Sequence, residues 1–222
     1  MVDRARIEAA VLEILEAIGE DPTREGLGST PRRVAEAYSE FFSGVGVDAR
    51  ALLGETFAFD EAAPREPVLM RGITFRSVCE HHLLPFEGLA HIAYVPTDRL
   101  IGLGRLPAVV DALASRPQLQ ERLGEQLADT IADGLDATGV LVVLEASHGC
   151  VTLRGPRQVG STTVTVASRG SLSEPAARAE LMTLIGQPTA GTTGSAVAEA
   201  PAANRAADEP TKAGATGHEA AL

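Results

Sequence analysis

The sequence predicts an α+β domain on three observations. Apolar residues recur at helical spacing near the amino terminus, β-branched runs come later in two separated pairs, and a helical block lies between those pairs. Ile7, Val11, Ile14, Leu15 and Ile18 fall on one helical face, and Gly19 follows where that helix would end. A polar connection over residues 19–27 leads to Thr30-Pro31, an N-cap and first-turn signal. It opens a second helix with Val34, Tyr38, Phe41 and Phe42 as its apolar face. The period then changes: Val68 to Phe75 and Leu89 to Val95 read as strands, with Pro85 and Gly88 between them. Pro107 and Pro117 each predict the start of a helical stretch, the second carrying Leu119, Leu123, Leu127, Ile131 and Leu135 as one ridge. Gly139 to Ala146, nearly all apolar, and Ser161 to Ala167, alternating, read as the second strand pair. The chain thus divides into an N-terminal helical segment (1–50), a mixed domain (51–186) and a tail (187–222).

With 222 residues and 45% apolar content, the chain can bury a sizeable core. Its formal charge of −11 leaves no excess of cations to neutralise nucleic-acid phosphates or an anionic membrane, though a small anionic substrate can still use a local basic pocket. Asp3, Arg4, Arg6, Glu8, Glu13 and Glu16 interrupt the first eighteen residues, so no signal-peptide core is present, and no uncharged run reaches membrane-spanning length. A cytoplasmic protein is expected, and in that compartment two cysteines read as thiols or thiolates, not as a disulfide. The tail is dominated by Ala, Thr, Gly, Pro and Glu and has no aromatic residue, a composition that predicts disorder. His218 within it is expected to be solvated.

Both cysteines sit beside histidine, in Cys79-Glu80-His81-His82 and in His148-Gly149-Cys150. A Cys and a His three apart can reach one ion, so Cys79 with His82 forms the natural pair and Cys150 the third ligand of an open, catalytic zinc site. Water bound to such an ion gives up a proton far more readily than bulk water does. His81 and His148 are then free to move protons near pH 7. Two other readings stay open on residue types alone: all four groups close a structural zinc, or the cysteines are simply small buried residues.

Residues 77–86, Ser-Val-Cys-Glu-His-His-Leu-Leu-Pro-Phe, resemble the zinc-site signature of the GTP cyclohydrolase I family. Residues 19–27, Gly-Glu-Asp-Pro-Thr-Arg-Glu-Gly-Leu, and 30–35, Thr-Pro-Arg-Arg-Val-Ala, are similar to its amino-terminal motif. Residues 118–123, Gln-Leu-Gln-Glu-Arg-Leu, are similar to its helix motif. His148-Gly149-Cys150, Arg154-Gly155 and residues 160–165, Gly-Ser-Thr-Thr-Val-Thr, are similar to its carboxy-terminal block; the likeness runs from about residue 7 to about 185.

The resemblance implies a tunnelling fold (T-fold): an antiparallel four-stranded sheet with helices on one face, joined edge to edge into an oligomeric β-barrel. It also implies a homodecamer with active sites at subunit interfaces, and zinc-dependent hydrolysis of GTP to formate and 7,8-dihydroneopterin triphosphate. By position it implies Cys79, His82 and Cys150 as zinc ligands, His148 as general acid/base and His81 as the second histidine of the site. Glu121 would grip the guanine edge with Gln120 beside it, and Arg105 and Arg154 would face the phosphates. A carboxylate opposite two ring N–H donors selects guanine over adenine, which would oppose acceptor to acceptor. The chain departs from the pattern at Gly102-Leu103-Gly104-Arg105, where the family commonly has Gly-Leu-Ser-Lys, and at Ala108, where it has a further basic residue. Weaker triphosphate binding is expected. A divergent paralogue accepting fewer phosphates and a non-catalytic zinc-stabilised nucleotide-binding oligomer are the alternatives. His91 has no role in the pattern and is expected to be an ordinary surface or interface residue.

Overall fold

The computed structural model describes residues 2–58 and 65–187; the tail beyond, with His218, lies outside the described residues. Helix α1 (Arg4–Ala17) begins where the Asp3 carboxylate accepts the Arg6 N–H, and it ends at Gly19, whose φ of 85° places it in the left-handed region. It packs against α2 (Thr30–Phe41), burying Val11 and Leu15 while Ile14 and Ile18 stay exposed. The N-cap of α2 is Ser29, not Thr30: Thr30 is already helical, and its hydroxyl reaches back to the Gly26 carbonyl.

After a 3₁₀ turn at Arg50–Leu53 come β1 (Thr56–Ala58), β2 (Val68–Cys79), β3 (Pro85–Val95) and β4 (Arg99–Ile101). Helix α3 (Arg105–Ala114), the short strand β5 (Pro117–Gln118) and helix α4 (Gln120–Leu135) follow. The chain then forms β6 (Gly139–His148), a single helical turn α5 (Gly149–Thr152), β7 (Thr163–Gly170) and α6 (Pro175–Gly186). Pro117 therefore does not open a helix. It pairs with Val78 in a two-residue parallel bridge, because the chain must run along the end of β2 before α4 can turn back across the sheet. The ridge itself is as expected from Leu123 onward: Leu123, Leu127, Ile131 and Leu135 are fully buried.

The main sheet has the order β5-β2-β3-β6-β7, in which β2, β3, β6 and β7 are antiparallel neighbours. It is a five-stranded sheet by virtue of β5, where the sequence suggested four strands. A separate two-stranded sheet joins β1 to β4. One face of the main sheet packs on α3 and α4 through Ile73, Phe75, Phe86, Ala90, Ile92, Val140, Val142 and Leu144. The expectation of helices on one face only is corrected by α6. Its Leu181, Met182 and Ile185 cover Ala93, Val95, Leu141 and Val143 on the opposite face. This double cover is why Val140 to Leu144 is an unbroken apolar run. Among the described residues, no helix is long and apolar enough to cross a membrane.

Candidate active site

Register alone brings the separated motifs together. The hairpin β2–β3 sets Val78 opposite Pro85, and β3–β6 sets Phe86 opposite His148, so Cys79, His82, His148 and Cys150 gather at one end of the sheet. The turn between β2 and β3 is closed twice on Cys79. Its carbonyl accepts the Leu83 N–H and its own N–H donates to the Leu84 carbonyl, both at 2.8 Å. Leu83 takes a φ of 51°, a left-handed conformation that costs a non-glycine residue about 1 to 2 kcal/mol. The turn carries His82 back over the strand end, with Nδ1 3.9 Å from the Cys79 sulfur.

The same turn is pinned to α4. The Glu80 N–H donates to the Gln118 carbonyl at 3.1 Å, and the Arg122 guanidinium forks onto both Glu80 carboxylate oxygens at 2.6 and 2.8 Å. The Arg122 hydrogen bonds hold the Glu80 carboxyl below its ordinary range. Sequence reasoning assigned neither residue a part, since nothing in the local pattern says that residues 80 and 122 meet.

From the other side, α5 returns Cys150 toward the turn. The ligand atoms of Cys79, His82 and Cys150 all lie within 4.8 Å of one another, with Cys79 buried, Cys150 half-buried and His82 exposed. A tetrahedral zinc with Zn–S near 2.3 Å and Zn–N near 2.0 Å needs donor separations of about 3.5 to 3.8 Å, so the trio fits zinc after a small contraction. Burial pushes the Cys150 thiol up, the neighbouring Cys79 thiol pushes the same way, and Arg154 opposes them. Arg154, exposed just past α5, is thus on the site side of the molecule.

His148 is the most constrained histidine of the set. Its ring stacks on Phe86 at 4.6 Å between centroids and 7° between planes, and its Nε2 lies 2.7 Å from Gln120 Oε1. Burial lowers its pKa, with Glu121 pulling in the opposite direction. His81 is exposed on the turn, its ring 6.2 Å from that of His82. Glu121 is exposed in the first turn of α4 and borders a cleft of about 230 Å³ with Gly124, Glu125, Thr165, Val166 and Ala167. Gln120 beside it is buried and bonded within the chain.

Arg105 is not brought to this cluster. It starts α3, packs its guanidinium over Gly54, and lies a helix length, about 15 Å, from Ala114, whose carbonyl accepts the Ser77 hydroxyl near the metal end. A cleft of about 480 Å³ lined by Val2, Arg4, Ser39, Phe42, Ser43 and Val45 holds none of these groups.

Residues 7–186 match the family described as GTP cyclohydrolase I. The chain belongs to the GTP cyclohydrolase I family. A GTP cyclohydrolase 1 of Leifsonia xyli subsp. xyli is 65% identical over 184 residues, spanning 83% of this chain and 96% of that one. GTP cyclohydrolase 1 of Rhodopirellula baltica is 52% identical over 83% of this chain and 80% of its own length. That of Caldanaerobacter subterraneus subsp. tengcongensis is 50% identical over 83% and 98%. The GTP cyclohydrolase I match takes in every residue of the site cluster and stops at the end of α6, so residues 187–222 are additional to it.

Proposed function

We propose that this chain hydrolyses GTP to formate and 7,8-dihydroneopterin triphosphate, using zinc held by Cys79, His82 and Cys150. The observation that carries the proposal is the convergence of that ligand trio with the half-buried imidazole of His148 at one sheet end, in a chain of this family. Zinc, when bound, supplies a Lewis acid that makes water nucleophilic near neutral pH.

The chain's own residues supply the rest. His148, whose pKa is lowered by burial, is neutral at pH 7 and accepts or returns the proton that must move as the purine's imidazole ring opens at C8. His81, exposed on the turn, is the second proton carrier. Glu121 accepts from the two N–H groups on the guanine edge, which adenine does not offer. Arg154 meets the phosphates from the α5 side.

Arg105, a helix length away, supports a site completed by a second copy of the chain whose Arg105 approaches from across the interface. The open β7 edge of the sheet is consistent with edge-to-edge assembly into the family's T-fold barrel and homodecamer. The enzyme works in the cytoplasm on a small-molecule substrate, without nucleic acid or membrane; its two free thiols fit that compartment. Gly104 and Ala108 favour one second reading, a divergent paralogue with altered phosphate recognition.

The test is incubation of zinc-loaded protein with GTP, GDP and guanosine, measuring formate and a fluorescent oxidised pterin. Formate from GTP is expected; none from the fully loaded protein overturns the reaction. Equal rates on all three substrates would remove the triphosphate assignment.

A further inference from the structure

Gln120 is 1% exposed, and its partners leave no freedom in which way its amide faces. Nε2 lies 3.1 Å from the Leu144 carbonyl on β6, 2.9 Å from the Thr163 carbonyl on β7 and 3.1 Å from the Thr165 hydroxyl. Backbone carbonyls only accept, so they require the NH₂ group there and turn Oε1 toward His148. A carbonyl oxygen carries no hydrogen. The short contact of 2.7 Å between Oε1 and His148 Nε2 therefore requires the imidazole to donate. In the neutral ring a proton on Nε2 makes Nδ1 the acceptor. The stack on Phe86 fixes the plane of the same ring, so both its tilt and its tautomer are held.

We propose that Gln120 is a positioning residue that locks His148 as the Nε2–H tautomer and leaves Nδ1 as the nitrogen that exchanges protons with substrate. Three features support it beyond the single contact. Gln120 is the first residue of α4, so the amide fastens the helix start to β6 and β7 and thereby fixes the spacing between His148 and Glu121. Its polar atoms are all engaged within the chain, which leaves its side chain nothing with which to bind a purine while the network stands. The hydrogen-bond partner of a working imidazole commonly sets which nitrogen is active.

The role in turnover rests on the proposed hydrolysis; the tautomer does not. The zinc-loaded full chain, labelled with ¹⁵N in histidine, is examined by NMR at about pH 8, above the ordinary imidazole range. His148 is assigned as the resonance pair lost in His148→Asn. A proton on Nε2 with a bare Nδ1 is expected, and a proton on Nδ1 overturns the proposal. Gln120→Met removes the acceptor at similar volume. The expected outcome is a His148 spectrum shifted toward the other tautomer or a mixture, with kcat for formate release down roughly 10- to 100-fold and KM within about threefold. A raised KM at unchanged kcat would mean that Gln120 binds substrate directly, and an unchanged tautomer would mean that something else sets it; either overturns the assignment. Should Gln120→Met fail to fold, the wild-type spectrum still decides. A chain that released no formate from GTP yet showed the Nε2–H tautomer would refute the reaction and leave the Gln120 network standing.

Discussion

Gly88→Ala tests whether strand spacing holds the site together. Gly88 lies in β3 opposite Ala146 of β6, two residues from the Phe86–His148 pair. A Cβ added there would lie 1.9 Å from the Glu145 carbonyl oxygen and 2.7 Å from the Ala146 Cα, both backbone atoms that no rotamer change can move. Reaching ordinary contact requires β3 and β6 to separate by about 1.5 Å, which stretches the nearest ladder bonds beyond hydrogen-bond range. Two such bonds at about 1 kcal/mol each are lost, and overpacking strain adds to them. The restricted unfolded chain returns about 0.5 to 1 kcal/mol. With about 1 to 3 kcal/mol of strain the net destabilisation is about 2 to 4 kcal/mol, or a fall in Tm of roughly 4 to 16 °C for a domain of this size. Because Cys79 and His82 hang from the β2–β3 hairpin and Cys150 from β6, the same shift pulls the ligand trio apart.

Thermal unfolding and zinc content after dialysis against a weak chelator measure the two effects. Gly104→Ala is the matched control, since its Cβ would meet nothing within 4 Å, and it should unfold like wild type. A Gly88→Ala protein with wild-type Tm and full zinc content would show that the β3–β6 spacing does not govern the site.

Three further outcomes are expected. Cys150→Ala leaves Cys79 and His82 alone with the ion, so the variant should lose its zinc to a chelator that wild type withstands and release no formate; full activity would refute the ligand assignment. Ala108→Arg restores a cation on the α3 turn bearing Arg105, and one charge-assisted contact of about 1.5 to 3 kcal/mol should lower KM for GTP tenfold or more with little change for guanosine. An unchanged KM would place α3 away from the phosphates. Burial chiefly, and then Arg71, depress the pKa of His91, while Glu145 opposes them. Below about pH 6.5 the unfolded chain therefore binds the proton more readily, and stability should fall as pH drops through that range and stay level above it. His91→Gln should flatten part of that slope in denaturant titrations, His148 retaining the remainder; an identical slope would refute it.

The sequence made the elements legible where one physical cause dominated. The ridge from Leu123 to Leu135 buries one face of one helix, and its four-residue spacing says so without help from tertiary structure. The trio Cys79, His82 and Cys150 was legible because few residue types bind zinc and only two cysteines exist. Elements whose cause is tertiary were hidden. Pro117 carries a helix-start signal, but the β2 edge claims it for a bridge. Helix α6 has no strong stripe of its own, yet the unbroken run Val140 to Leu144 demanded a cover on the second sheet face. Arg122 and Glu80 show only that each is charged; that they meet depends on where α4 begins relative to the β2 turn.

The two site motifs are about seventy residues apart in the chain and adjacent in space, and two antiparallel registers, β2 on β3 and β3 on β6, are enough to account for it. A one-residue slip of β6 against β3 would send the His148 side chain to the opposite face, away from Gln120 and off the Phe86 ring. The protection against that slip is not at the metal. It lies in the closely fitted row at Gly88 and in the two covers of Val140 to Leu144, whose alternate side chains a one-residue slip would exchange between the faces. The site is therefore fixed by apolar packing well removed from its chemistry. Arg105 has no such frame beside the cluster, because it stands at the far end of α3. The side chains that gather at the site hang from strands locked into the subunit core, whereas Gly104 is an exposed position whose added Cβ would meet nothing, so it can change without disturbing the fold.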